Sequence, residues 1–298
     1  MVGFSLGFDG GIDDGAFPGD NRCSPDNGSI PRDSGRSVDD GSSPNHGSHS
    51  LSGAILKAQE RGEAAVIVDI KPVSPRDGDL IGNRDPAELA RSLERAGACA
   101  LSVVTEPRHF GGSIRTLAEV VRAVSLPVLR KDFISGLDQI DESRKAGASS
   151  VLLILATIPA SLVSPLYQRC RELGLEAVVE IHNRTEFDRA MALSPAPAII
   201  GINNRDILNL EKDGGSVLLT EELAPLVPDS VVVISESSLT TPDDIARAIR
   251  AGADAVLIGT AILKSDDPTA RLAVLSQAAR MACRENNPLT RLPGVGRP

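Results

Sequence analysis

The stretch PVLRKDF, residues 127–133, begins like a buried strand and ends on Arg130, Lys131 and Asp132 before Phe133. Charge clusters ordinarily sit on solvated loops, so a lysine closing an apolar run needs a reason. Side chains alternate along a strand. If Leu129 points inward, Lys131 and Phe133 do too, and Arg130 and Asp132 face the other way. Similar endings recur along the chain. Asp69 and Lys71 share one parity in AAVIVDIK, Glu180 lies in EAVVEIH, Asn203 and Arg205 close AIIGINNRD, and Ser235 and Ser237 close VVVISES. Lysines and carboxylates act as general acids and bases when burial and proximity split their pKa values. A single strand-end charge is about equally well explained as part of a structural network capping the core. Two lysines, two acids, an Asn and an Arg converging on one mouth point instead to a pocket for acid–base chemistry on an anion.

Such convergence requires a particular scaffold. From residue 63 onward, short β-branched runs alternate with amphipathic runs. Eight strands are expected, at 64–71, 100–106, 127–133, 150–157, 176–182, 198–206, 231–237 and 255–262. Helical segments such as DPAELARSLERAG and TPDDIARAIRAG lie between them, with Pro in the first turn and Gly at the stop. Eight strand–helix units predict an α/β fold of the closed (β/α)8 type, a TIM barrel, with chemistry at the C-terminal ends of the strands. A doubly wound sheet would carry fewer units and a Gly-rich first turn, and KPVSPRDGDLIGNRD contains no GxGxxG. The ends of strands 7 and 8, SESSL and IGTAIL, are made of small residues where such barrels seat phosphate.

Composition narrows the class further. Hydrophobic residues make up 41% but aromatics only 2%, so the core must be aliphatic. Residues 1–50 hold eight Asp against three Arg, five of the nine net negative charges, in a Gly/Ser/Pro-rich setting that predicts a disordered tail. The expected organisation is this tail, a catalytic barrel at 51–285 and a flexible end at 286–298, with LSGAILKAQERG forming a helix at the barrel's start. An acidic chain argues against a nucleic-acid partner. The longest apolar run, residues 151–160, is too short for a membrane span, and no secretory signal is expected. Four dispersed cysteines, Cys23, Cys99, Cys170 and Cys283, fit a reduced, cytoplasmic protein.

The strings DIKPVSP, LSVVTEPRHFGGS, LPVLRKDF, AVVEIHNRTEFDRA, IIGINNRD, VVVISES and AVLIGTAILKSDDP resemble the indole-3-glycerol phosphate synthase family over residues 51–272. The resemblance implies a carboxy-lyase of tryptophan biosynthesis that works without cofactor or metal. It closes the ring of 1-(2-carboxyphenylamino)-1-deoxyribulose 5-phosphate, releasing CO₂ and water. It implies that Lys131 protonates the ketone oxygen, that Lys71 contacts the substrate carboxylate and that Glu180 is the acid–base glutamate. Which lysine serves which step stays open. It further implies that Asn203 and Arg205 position the substrate, that Ser74, Ser237, Gly259 and Thr260 surround the phosphate, and that Phe110 and Phe133 pack on the anthranilate ring. Two departures stand out: Asp69 replaces a family glutamate among the catalytic set, and Ser238 replaces a phosphate-site glycine. The family's charged N-terminal helix is also not evident in residues 1–50.

The implied partner is a small sugar phosphate, with room for association with other tryptophan-pathway enzymes. Phosphoribosylanthranilate isomerase is set aside, because it places a cysteine where this chain has Lys71. The alternative is a repurposed or weakly active paralogue that binds an anionic phosphate ligand or a partner protein.

Overall fold

The eight apolar runs become eight parallel strands in a computed structural model that describes residues 50–286. They are β1 (Ala65–Ile70), β2 (Ala100–Val104), β3 (Val128–Lys131), β4 (Ser150–Ile154), β5 (Glu176–Ile181), β6 (Ile199–Asn203), β7 (Val232–Glu236) and β8 (Ala255–Ile258). Neighbours in chain order pair with one another, and β1 closes the ring by pairing with β8 from Ala65↔Ala255 to Val68↔Ile258. This is the expected (β/α)8 barrel. A two-residue hairpin, Val73–Ser74 with Gly78–Asp79, decorates the loop after β1. Apart from Ser50, the expected N-terminal tail lies outside the described residues, as does the C-terminal end beyond residue 286. Among the described residues no helix is long and apolar enough to cross a membrane.

Both faces of each strand are apolar for different reasons. One parity, including Ile67, Ala100, Leu129, Leu152, Val178, Ile199, Ile234 and Leu257, fills the barrel interior. The other, including Val68, Leu101, Val151, Val179, Ile200, Val233 and Val256, packs against the helix layer. The helices start where the sequence offers caps. Asp85, Ser113, Asn183 and Thr241 each accept the backbone N–H three residues on, and Pro86 and Pro242 occupy the first turn. Arg130 confirms its outward parity. Its guanidinium reaches Thr105 Oγ1 at 3.0 Å, the Gln139 carbonyl at 2.9 Å, Ser143 Oγ at 3.1 Å and Asp132 Oδ2 at 3.0 Å, all in the helix layer or the loops above it.

The helix over 51–62 forms as α1 (Leu51–Glu60), and its position explains an inward charge at the other end of the barrel. Leu51, Ile55 and Ala58 plug the floor, joining the interior cluster. Glu176 opens β5 with the same parity as Val178, so its carboxylate faces that floor. It is met there by the start of α1: the backbone N–H groups of Leu51 and Ser52 and the hydroxyls of Ser50 and Ser52 all donate to it. A carboxylate at a helix N-terminus satisfies free N–H groups and complements the helix dipole. Replacing Glu176 by Ala strands several of these donors, and chemical denaturation should show a loss of roughly 1–3 kcal/mol. A loss below about 0.5 kcal/mol, the ordinary scatter of surface changes, would mean that apolar contacts alone hold the floor.

Candidate active site

The inward parity carries polar groups once the strands reach the top of the barrel. Lys131 ends β3 and extends into the mouth, where its Nζ lies 2.8 Å from Glu236 Oε2 and 3.4 Å from Glu180 Oε2. Lys71, just past β1, has its Nζ 3.5 Å from Glu211 Oε2 and 5.7 Å from the centroid of the Phe110 ring. Asp69 accepts a 2.7 Å hydrogen bond from Ser102 Oγ. Asn203 Oδ1 accepts the Arg205 N–H at 3.1 Å, and its amide nitrogen is buried with no partner among the described residues. Arg205 Nε reaches Ser238 Oγ at 3.2 Å.

These groups surround two adjoining hollows of different character. One, of about 340 Å³, is walled by Val104, Phe110, Phe133, Leu152, Ile154 and Ile207. The other, of about 420 Å³, is walled by Asp69, Arg205, Ser237, Ser238, Gly259 and Thr260. Lys71, Lys131 and Glu211 line both and therefore stand at the junction. Of the residues named from sequence, Asp69, Lys71, Lys131, Phe110, Phe133, Arg205, Ser237, Ser238, Gly259 and Thr260 line a hollow. Glu180 and Asn203 lie beneath, fully buried. Ser74 stands apart from both walls: its Oγ accepts the Asp77 N–H at 3.2 Å and faces Asp77 Oδ2 at 3.3 Å, tying up the turn after β1.

Electrostatics follow from burial and mutual distance. Burial opposes the charge on Lys131, but Glu236, Glu180, Glu211 and Asp69 outweigh it and hold the ammonium's pKa well above the ordinary lysine value. Burial pushes Asp69 up despite both lysines and Ser102. Burial also pushes Glu236 up, to about 7, against the pull of Lys131 and with help from the negative charge of Glu180. Glu211 moves the other way, because Lys71, Lys131, Arg205 and the Ser237 hydroxyl overcome its burial. The mouth therefore holds a firmly charged cation beside carboxyls poised at different protonation states, which suits stepwise proton transfer.

Two of these acids went unread in the sequence, and one expected residue is elsewhere. Ser235 does not face the mouth. Its Oγ pairs with Thr220 Oγ1 at 2.7 Å and accepts from Asn204 Nδ2 at 3.0 Å, in the helix layer. The inward residue at that level is Glu236, in line with Val232 and Ile234. Its carboxylate lies against Gly201 of β6, where any Cβ would collide with Oε1. The signal was present in the parity of VVVISES, but both faces of a barrel strand are apolar, so alternation did not reveal which face was which. Glu211 sits on the loop after β6, where no periodicity applies. Four non-glycine residues among the described ones have positive φ: Leu210 at 53°, Glu211 at 56°, Ser237 at 63° and Ser238 at 57°. Ser237 Oγ donates to Glu211 Oε1 at 3.1 Å, so the strain gathers at the site itself.

Fold and site together define a (β/α)8 barrel of the enzyme type, with lysines and carboxyls gathered in its mouth in an arrangement suited to acid–base chemistry. A sequence model of the family "Indole-3-glycerol phosphate synthase" matches residues 37–275. Curated relatives carrying that name include one from Thermococcus kodakarensis, 45% identical over 218 residues, which cover 73% of this chain and 93% of the relative. Another, from Pyrococcus abyssi, is 44% identical over 68% of this chain and 87% of its own length. A third, from Nocardioides sp., is 46% identical over 69% of this chain and 77% of its own. The chain belongs to the indole-3-glycerol phosphate synthase family.

Two predictions test this geometry. A carboxyl pKa raised in the folded state binds protons that the unfolded state has already released, so it costs stability as pH rises from the unfolded value toward the folded one. The Glu236→Gln variant should therefore show a smaller fall in stability than the wild type between about 4.5 and about 7, with the raised Asp69 accounting for what remains. Parallel pH–stability curves would place Glu236 outside the buried cluster. Ser238 occupies the left-handed region, which costs a non-glycine residue roughly 1–2 kcal/mol. Its hydroxyl already accepts from Arg205. Ser238→Gly should thus tighten the Kd of an unreactive phosphate analogue measured by calorimetry. Weaker binding would make the serine hydroxyl itself a phosphate ligand.

Proposed function

We propose that this chain is a working indole-3-glycerol phosphate synthase. It would convert 1-(2-carboxyphenylamino)-1-deoxyribulose 5-phosphate into indole-3-glycerol phosphate, CO₂ and water. The observation that carries the reading is the division of the mouth into an apolar and a polar hollow with two lysines at the junction. Such a site suits a substrate with an aryl ring at one end, a phosphate at the other and its reacting carbonyl between them. Phe110 and Phe133, with ring centroids 6.4 Å apart, offer faces for the ring. Ser237, Ser238, Gly259 and Thr260 offer backbone and hydroxyl donors for the phosphate.

In this reading the anthranilate ring carbon attacks the ketone carbon while Lys131 supplies a proton to the ketone oxygen. Lys71 holds the carboxylate that leaves as CO₂, and the electron pair of the broken C–C bond returns to the ring, cancelling the positive charge that the attack placed on the ring and its nitrogen. Loss of the hydroxyl as water then needs an acid at the oxygen and a base for the remaining ring-system proton. Glu180 is assigned to that acid–base exchange beside Lys131, with Asp69 and Glu236 setting the local charge. The two lysines can exchange roles between the steps, since both lie at the junction. Asn203 and Arg205 position the chain of hydroxyls. A cytoplasmic location and docking to other enzymes of the same pathway accompany the reading and call for fractionation and pull-down tests of their own.

The decisive experiment is conversion of the authentic substrate, followed by the fluorescence of the indole product. Lys131→Met should lower kcat by about 10²–10⁴-fold while the far-ultraviolet circular dichroism stays unchanged. More than half of the wild-type kcat in that variant would exclude Lys131 as the acid. A folded wild type that binds the substrate without converting it would favour a repurposed paralogue.

A further inference from the structure

Beyond the groups that line the mouth, one titratable side chain touches the buried machinery from behind. His182 follows β5 with the same parity as Glu180. Its Nε2 lies 3.3 Å from Glu180 Oε1, within ion-pair distance but out of line for a hydrogen bond, and neither atom has a hydrogen-bond partner among the described residues. The other oxygen of Glu180 is the one beside Lys131. On the far side of the ring, Nδ1 lies 3.1 Å from Glu186 Oε2. That oxygen also accepts the His182 backbone N–H at 2.8 Å. Glu186 is itself fixed: its Oε1 accepts from Asn183 Nδ2 at 2.8 Å, and its N–H caps back to Asn183 Oδ1 at 2.9 Å. The turn that starts the helix Arg184–Met191 thus grips a glutamate, the glutamate grips an imidazole, and the imidazole meets the buried carboxylate.

We propose that His182 is a positioning residue for the reaction, a Glu186-anchored imidazole that holds Glu180 Oε1 so that Oε2 stays turned to Lys131 and the substrate. The inference rests on Glu180 being the acid–base carboxylate assigned above. An imidazole flanked by two carboxylates donates to both only when protonated. The groups facing it are Glu180 and Glu236 from the barrel interior and Glu186 from the following helix, with Lys131 beyond Glu180. Burial works against the imidazolium, but Glu186, Glu180 and Glu236 together raise its pKa above the ordinary histidine value. The proton is therefore held to a higher pH than on a free histidine and is lost as pH climbs past that raised value. Above it, Glu180 loses the positive charge that faces its Oε1.

Three variants and two readouts separate positioning from simple packing. His182→Ala should lower kcat by roughly ten- to hundredfold, the worth of a charge-assisted hydrogen bond, with KM changed by no more than about twofold. His182→Gln, whose amide can donate to the same oxygen at every pH, should recover most of kcat and lose the fall in activity expected of the wild type as pH rises past the raised pKa of the imidazole. Retention of more than half of kcat in the alanine variant, or equal losses in both variants, would overturn the proposal. The second readout needs no turnover. The chain has only four histidines, so His182 can be followed by NMR titration of the whole protein. In Glu186→Gln its midpoint should fall, and an unchanged midpoint would break the proposed chain of contacts. If the wild type fails to convert the substrate at all, the functional reading is wrong, and the titration still decides whether His182 is coupled to its carboxylates.

Discussion

Everything in the mouth is arranged around one buried ammonium. Lys131 stands among Glu180, Glu211, Glu236 and Asp69 where little water reaches to screen charge, and an opposite charge a few ångströms away is felt more strongly than at the surface. A lone lysine buried there would surrender its proton. The surrounding acids prevent this, and in doing so they crowd one another. Glu236, although nearest to Lys131, is fully buried beside Glu180, and these push its pKa up to about 7, while burial raises Asp69 as well. The separation of protonation states among chemically similar groups is thus a consequence of packing four acids around one base, with no special chemistry required of any of them.

The barrel makes this crowding affordable because each strand delivers one inward residue per level. Lower levels are aliphatic and supply the stability, sealed beneath by α1. The top level is polar and has no apolar partner to lose. Strain follows the same division: the positive-φ residues lie on the loops after β6 and β7, where they press Glu211 and Ser237 together, and the strands below are regular. Under the proposed reading, an incoming substrate brings two further anionic groups, a carboxylate and a phosphate, to this place. Glu236 is the group whose proton affinity sits where such a change can be absorbed.

The sequence revealed the barrel because eight β-branched runs alternated with capped helices, and it revealed Lys71, Lys131 and Glu180 because a charge at the end of an apolar run is conspicuous. Glu236 escaped for the opposite reason. It lies inside SES, where two serines of the wrong parity looked like the polar end of the strand. A strand buried on both faces offers no alternation to correct that choice. Glu211 and the His182–Glu186 contact depend on loop paths and on a helix cap meeting a strand end, and local spacing does not encode either. The helix at 51–62 was legible as a helix, yet its destination was not, since its partner Glu176 is a residue of the fifth strand.

That last distance has a consequence for how the molecule is made. The hydrogen bond from Leu51 to Glu176 spans 125 positions of chain. During synthesis the first helix among the described residues exposes Leu51 and Ile55 with its partner strand β5 still to be made. A contact that joins the earliest segment to a late one slows folding and lengthens the time in which apolar surface is open to other chains. The plug that seals the finished barrel is, until β5 emerges, its stickiest part, and a nascent-chain chaperone would find its target at the very beginning of the described fold.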